Sequence, residues 1–194
     1  FDVKHDNLLY ELESIHLHEG LDRFTHQYIQ MNAILLRLDA LSIVGFPCNQ
    51  FGHQEPADNS TELYNGLRYV RPGSGYVPSF DVMKKIDVNG KKEAPLYTFL
   101  KESCQPPSKA SFNKFEMFSD PIKPHDITWN FEKFLIDDSG RPVFRFLPPV
   151  EPNDLVDLIR KMAVFLCVNI VEQNYNHRGG RGVLRFIMAE AILF

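Results

Sequence analysis

An α/β fold is predicted by three features of this sequence. Tyr28, Met31, Ile34, Leu35 and Leu38 recur at helical spacing, so Phe24 to Leu41 reads as an amphipathic helix. Leu41-Ser-Ile-Val-Gly-Phe46 follows, a short apolar run with β-branched residues that Pro47 ends, and it reads as a buried strand. Helix then buried strand is one half of a parallel α/β unit. Further on, Phe131 to Ile136, the polar stretch Asp137-Asp-Ser-Gly140 and Pro142 to Leu147 read as a β-hairpin.

The other elements follow in chain order. Leu9, Leu12, Ile15 and Leu17 are candidate positions of short strands. Residues 56–80 hold Pro56, Pro72, Gly73, Gly75 and Pro78, which predicts an irregular surface loop interrupted by a short helix around Ser60 to Leu67. Asp87-Val-Asn-Gly90 is a turn, because Asn-Gly readily supplies positive φ. Pro95 to Lys101 reads as a two-turn helix that ends before Pro106-Pro107. Leu155, Leu158, Ile159 and Met162 place a helix over Asn153 to Phe165, with Asn153 or Asp154 as its cap. From about Leu166 onward no clear pattern is found.

Composition bounds the function classes. The chain has 194 residues, 44% hydrophobic and 24% charged, ordinary for one globular domain with a core that needs no staples. A formal net charge of -4 gives no electrostatic case for nucleic acid or an anionic membrane. The longest apolar run, Ala163 to Val171, is interrupted by Asn169 and falls short of a membrane span, so a soluble protein is expected. Cys48, Cys104 and Cys167 lie far apart without a C-x-x-C pair, which argues against a zinc ribbon or a dithiol motif. His16 and His18 alternate on one strand face, too few ligands for a metal site. The chain opens on Phe1 with no charged and apolar leader, and is read as a fragment or a processed product.

Two polar clusters stand where chemistry is expected. Phe46-Pro-Cys-Asn-Gln-Phe-Gly-His-Gln-Glu55 follows a predicted strand, and open α/β sheets place their sites at the carboxyl ends of parallel strands. His125-Asp-Ile-Thr-Trp-Asn-Phe-Glu-Lys-Phe134 holds the single tryptophan just before the hairpin. The indole N–H of Trp129 and the amides of Asn130 and Gln50 are neutral donors. Converging on one point, they would stabilise a thiolate or selenolate and the oxygen leaving from it. On residue types alone the bland alternative stays open and is the commoner one: Trp129 in the core and the amides capping turns.

These segments resemble the glutathione peroxidase family. The resemblance is carried by Gly45-Phe-Pro-Cys-Asn-Gln-Phe-Gly52 with Gln54-Glu-Pro56, by Leu67-Arg-Tyr-Val-Arg-Pro-Gly73, by Asp87-Val-Asn-Gly90, by Phe99-Leu-Lys101 and by Trp129-Asn-Phe-Glu-Lys-Phe-Leu135. It covers residues 40–147 in register, and residues 8–40 more weakly. It implies a thioredoxin-like fold over residues 1–165, a central mixed sheet flanked by helices, with 166–194 a tail foreign to the family. It also implies reduction of hydrogen peroxide or organic hydroperoxides by glutathione, an antioxidant peroxidase in the response to oxidative stress. Glutathione would be co-substrate, with no prosthetic cofactor. Gln50, Trp129 and Asn130 match the family's hydrogen-bonding residues. Arg71 matches a position associated with glutathione, where a guanidinium pairs with a carboxylate, and Arg145 is a second candidate for that contact.

The family's reactive residue is missing. It lies in an Asn-Val-Ala-x-x-(Cys or selenocysteine)-Gly-Leu-Thr motif on the strand before the first helix, and here only Gly20-Leu-Asp-Arg-Phe-Thr25 stands in that place. None of the three cysteines is a natural substitute. A gene model spliced around a selenocysteine codon, normally read as stop, would leave this gap. Deleting a central strand unpairs backbone on both sides, so a damaged or rearranged sheet is expected.

The chain departs from the family at Thr128, which replaces an arginine, and at Phe146 beside Arg145, which weakens the case for glutathione there. Asn176-His-Arg-Gly-Gly-Arg-Gly182 resembles an RGG segment, but one copy makes no nucleic-acid binder. The loop Arg71 to Phe80 resembles the tetrameric branch, which favours a homo-tetramer. Asn59-Ser-Thr61 is a glycosylation sequon, which fits a secreted protein, with the cytoplasm as the alternative. Three functions compete: the peroxidase, impaired in this chain; a catalytically inactive thioredoxin-like binding protein; and, least favoured, a nucleic-acid-binding role for the tail.

Overall fold

The computed structural model describes residues 24–111, 113–163 and 184–190. It shows a five-stranded mixed sheet with helices on both faces. In chain order the elements are α1 (His26–Leu35), β1 (Leu41–Pro47), α2 (Ser60–Asn65), β2 (Asp81–Val82), α3 (Pro95–Ser103), β3 (Glu132–Ile136), β4 (Pro142–Phe146), α4 (156–163) and β5 (Leu184–Glu190). The spatial order is β2-β1-β5-β3-β4.

β5 sits at the centre of this order. It runs parallel to β1 over seven paired positions, from Leu41↔Leu184 to Pro47↔Glu190. On its other side it runs antiparallel to β3, from Glu132↔Ala189 to Ile136↔Arg185. β3 and β4 form the predicted hairpin, with a register shift between Leu135 and Ile136. The reading of the tail as patternless is therefore corrected for residues 184–190. Leu-Arg-Phe-Ile-Met-Ala-Glu alternates too weakly to announce a strand, and its partners lie far away in sequence.

A strand that precedes α1 and lies parallel to β1 would complete a right-handed βαβ unit, and its place would be beside β1. Among the described residues β5 pairs there. Without a strand in this position, β1 and β3 would both present open ladders.

Strand side chains divide between two covered faces. Leu41, Ile43, Leu135 and Met188 point to one face, where they meet Tyr28, Met31 and Ile34 of α1 and Val156 and Ile159 of α4. Phe46, Phe134, Ile136 and Ile187 point to the other, toward Tyr97 and Leu100 of α3 and the buried Phe51, Val88 and Ile127. β5 thus supplies one described side chain to each core.

The remaining boundaries show where tertiary demands override periodicity. α1 stops at Leu35 rather than running to Leu41, because the chain must reverse through 36–40 to enter β1; Leu38 keeps its burial within that turn. α2 ends at Asn65 and continues as one π-turn, Gly66–Val70, whose exit places Arg71. α3 lasts to Ser103. Before α4, Pro152–Leu155 is a 3-10 turn that contains Asn153 and Asp154, so neither caps the helix. Among the described residues no helix is long and apolar enough to cross a membrane. The candidate strands at Leu9 to Leu17, the paired histidines His16 and His18, Cys167 and the RGG-like segment lie outside the described residues.

Proline at position 187 tests the placement of β5. Ile187 pairs with Val44 on one side and Phe134 on the other, so Ile187→Pro removes a ladder donor where no edge can absorb the loss. A destabilisation of about 3 kcal/mol or more is expected in urea unfolding followed by circular dichroism. An unchanged midpoint would contradict a central β5.

Candidate active site

The site lies at the carboxyl ends of β1 and β5, where the two polar clusters meet. Beyond Pro47 the chain makes a tight turn in which Gly52 (φ 62°) and His53 (φ 50°) are both left-handed. A bridge between Phe51 and Met117 pins this turn, together with hydrogen bonds from Phe118 N to the Gln50 carbonyl (2.8 Å) and from Gly52 N to the Glu116 carbonyl (2.7 Å). Trp129 packs on Phe51, ring centroids 5.8 Å apart. Asn130 Nδ2 donates to Gln54 Oε1 at 2.9 Å. Trp129 and Asn130 are therefore held against the turn that follows Gln50.

Gln50 itself faces elsewhere. Its Oε1 accepts from Val88 N and Asn89 N, both at 2.9 Å, and its Nε2 donates to the Asn89 carbonyl at 2.9 Å. Asn89 continues the chain of bonds: its Nδ2 donates to the Ile127 carbonyl and its Oδ1 accepts from Ile127 N, again at 2.9 Å. Gln50 thus holds the Asn-Gly turn, and the turn holds the backbone that leads into Trp129. Gly90 (φ 79°) is needed there, since a Cβ would lie 2.9 Å from the Asp120 carbonyl oxygen. This scaffold was not read from sequence, where Asp87 to Gly90 signalled only a turn.

The loop 128–131 is clamped from below by two buried charges. Glu132 Oε2 accepts from Thr128 N (2.8 Å) and Thr128 Oγ1 (2.9 Å), closing the loop over four residues. Glu132 is in turn paired with Arg145. Arg145 donates further to the carbonyls of His125 (3.0 Å) and Asp126 (2.9 Å), and its guanidinium lies over the Phe134 ring. Its side chain is 1% exposed. That removes Arg145 from the substrate candidates; the sequence could not show that its guanidinium turns inward. Arg71 is half-buried at the exit of the π-turn and remains the candidate for a glutathione carboxylate.

Lys133 is the second charge. Its Nζ donates to the carbonyl of Phe131 (2.6 Å) and to Gln27 Oε1 (2.7 Å). Phe131 is left-handed (φ 63°), a conformation that strains a bulky residue. The lysine and the packing of Phe131 on Tyr28 hold it there. Burial pulls the Lys133 ammonium down to about 7, against the nearby carboxylates of Glu151 and Glu132.

No described thiol joins this site as a nucleophile. Cys48 is 0% exposed, and burial pushes its thiol up to about 12. Its Sγ lies 3.6 Å from Gln50 Oε1, on the scaffold side. Cys104 sits beside Arg145 at the far end of α3, its thiol raised by burial with the guanidinium pulling the other way. Among the described residues no group of histidines, cysteines and carboxylates is placed to hold a metal ion.

A family model described as glutathione peroxidase matches residues 21–101. Glutathione peroxidase 3 of Bos taurus is 46% identical over 147 residues, spanning 73% of this chain and 65% of that protein. The epididymal secretory glutathione peroxidase of Rattus norvegicus is 53% identical over 124 residues, spanning 63% of this chain and 56% of that protein.

These matches place the similarity in the glutathione peroxidase family.

The chain spans a little under two thirds of the first of these relatives and just over half of the second. A solved structure described as Trgpx in apo form is 28% identical over 75% of this chain and 73% of that one, with a TM-score of 0.46. The fold is read from the chain's own strand pairing. Its helix-flanked mixed sheet fits the thioredoxin-like fold that the resemblance implies.

The buried lysine gives a pH signature. With a folded value near 7 and an ordinary value of 10.5, the unfolded chain binds more protons across that window. Stability is then expected to rise with pH between 7 and 10, at a slope of up to about 1.4 kcal/mol per unit, and to be insensitive to this group below 7. Lys133→Met should flatten the slope in urea titrations across that range. A slope unchanged by the substitution would rule out Lys133 as its source.

Proposed function

We propose that this chain carries the glutathione and hydroperoxide site of its family around Trp129, Asn130 and Arg71, with turnover impaired because no described residue supplies a nucleophile there. One observation supports this reading. β5 pairs beside β1, where a strand preceding α1 would lie, and its seven residues, Leu184–Glu190, include no cysteine. The loop bearing Trp129 and Asn130 is nevertheless built and clamped as a site requires.

In the complete reaction a thiolate or selenolate attacks the O–O bond of the hydroperoxide, releasing an alcohol or water and becoming a sulfenic or selenenic acid. One glutathione displaces water from that acid, and a second releases glutathione disulfide and restores the resting group. The neutral N–H groups of Trp129 and Asn130 would stabilise the charge on the nucleophile and on the departing oxygen. Gln50 would support them through Asn89. The guanidinium of Arg71 would pair with a glutathione carboxylate. Glutathione is the co-substrate, and no prosthetic cofactor enters.

The same observation favours the second reading, a catalytically inactive thioredoxin-like binding protein. Both are tested by one preparation of the chain with glutathione and hydrogen peroxide. Turnover no faster than that of a Trp129→Ala chain is expected, together with glutathione binding that Arg71→Gln weakens about tenfold. Turnover well above the Trp129→Ala control would defeat the impaired reading. Glutathione binding indifferent to Arg71 would defeat its assignment.

Secretion and assembly belong to the same proposal. The rat relative is named as secretory, and Asn59 of the sequon is exposed at the start of α2, where a glycan has room. Tyr69, Val70 and Val77 are exposed on the loop around Arg71, an apolar surface that supports a homo-tetramer. Chain exported from eukaryotic cells should lose mass on amidase deglycosylation and scatter light as a tetramer. An unmodified monomer would overturn both assignments.

A further inference from the structure

Among the described residues Lys133 is a buried cation whose own hydrogen bonds reach no carboxylate. Its Nζ donates to the Phe131 carbonyl (2.6 Å), to Gln27 Oε1 (2.7 Å) and to the Pro148 carbonyl (3.4 Å). All three acceptors are neutral, and together they use the three N–H donors of an ammonium. Gln27 is oriented to match: it is fully buried, and its Nε2 donates to the same Pro148 carbonyl at 2.7 Å. Turning its amide over would set N–H against ammonium and oxygen against carbonyl, so only this orientation fits.

The carboxylates around this node are paired with other cations. Glu132 precedes Lys133 on β3, points to the opposite face and pairs with Arg145 of β4. Glu151, just before the 3-10 turn, pairs with His26 at the start of α1, Oε2 to Nε2 2.8 Å. Both carboxylates still favour the charged lysine from a distance, and Arg145 and a protonated His26 offset that pull. Burial outweighs them and draws the ammonium down to about 7.

Proton loss changes the donor count. A neutral amine keeps two N–H groups and gains a lone pair, so three acceptors no longer match it. Each remaining bond also loses its charge assistance, about half its strength. The loss falls hardest at Phe131, whose left-handed backbone (φ 63°) is unfavourable for a bulky residue and leans on that bond. Phe131 directly follows Trp129 and Asn130.

We propose that Lys133 is a protonation-controlled latch on the site loop: as an ammonium it holds Phe131 left-handed and Trp129 and Asn130 in place, and as an amine it lets the loop relax. The inference rests on the reading of that loop as the site, and gives the site a regulation by pH. The latch is engaged below the lysine's folded value and released above it. Global stability moves the other way, because above neutrality the folded chain no longer buries a charge that the unfolded chain keeps. Loop order and global stability therefore separate, whereas a lysine with a merely structural role would move both together.

Trp129 is the chain's single tryptophan, so its indole N–H gives one assignable signal. The full chain, labelled with nitrogen-15, is titrated from about pH 5 to about pH 10. The indole should shift with a midpoint of about 7. Lys133→Met should hold the signal, at every pH, where the natural chain has it in alkali. Gln27→Glu puts a carboxylate against the ammonium and should raise the midpoint by about one unit or more. His26→Gln removes the neighbouring imidazole and should leave the titration in place. An indole that does not titrate, that titrates in Lys133→Met, or that stops titrating in His26→Gln overturns the latch. Should the Met chain fail to fold, a midpoint that Gln27→Glu does not raise overturns it as well. The readout needs no ligand: a chain that titrates as expected and binds no glutathione keeps the latch and loses only the site reading.

Discussion

The pairing of β5 between β1 and β3 is the interaction on which the rest of this structure depends. β1 and β3 are both buried strands, and a buried backbone must find partners for its N–H and carbonyl groups. They do not pair with each other here; each pairs with residues 184–190. Ile187 and Met188 then reach into the two cores on opposite faces. The hydrogen-bond ladder and both hydrophobic layers thus close through the same segment, drawn from the part of the chain that least resembles the family.

That substitution separates the scaffold of the site from its chemistry. The scaffold needs a strand at the sheet centre, whichever residues compose it. With the strand in place, Gln50 and Asn89 tie the Asn-Gly turn to Ile127, Glu132 closes the loop through Thr128, and Lys133 holds the left-handed Phe131. Each bond is made by a buried polar group whose partner is fixed, and networks of this kind hold only when complete. The proposed chemistry would need one particular residue, a thiol or selenol, and β5 has no cysteine among its seven residues.

Much of this was legible in the sequence because it is local. β1, the β3–β4 hairpin and α3 follow from apolar runs, turn residues and helical spacing within a dozen residues, and the ordered motifs around Gln50 and Trp129 identify the family. The central partner of β1 was not legible, because it lies some 140 residues away and Leu184 to Glu190 alternates only weakly. Side-chain direction was equally hidden. Arg145 looked like a surface cation and turns inward to Glu132; Gln50 looked like a site donor and faces the Asn89 turn. The end of α1 at Leu35 rather than Leu41 carries no glycine or proline signal, since the demands of β1 set it.

Native-state hydrogen exchange of the full chain, read residue by residue, tests the central strand most directly. Amides of residues 184–190 should exchange as slowly as those of β1 and β3, through opening of the whole sheet. Rapid exchange across 184–190 beside a protected β1 and β3 would contradict β5 as the strand that completes the fold.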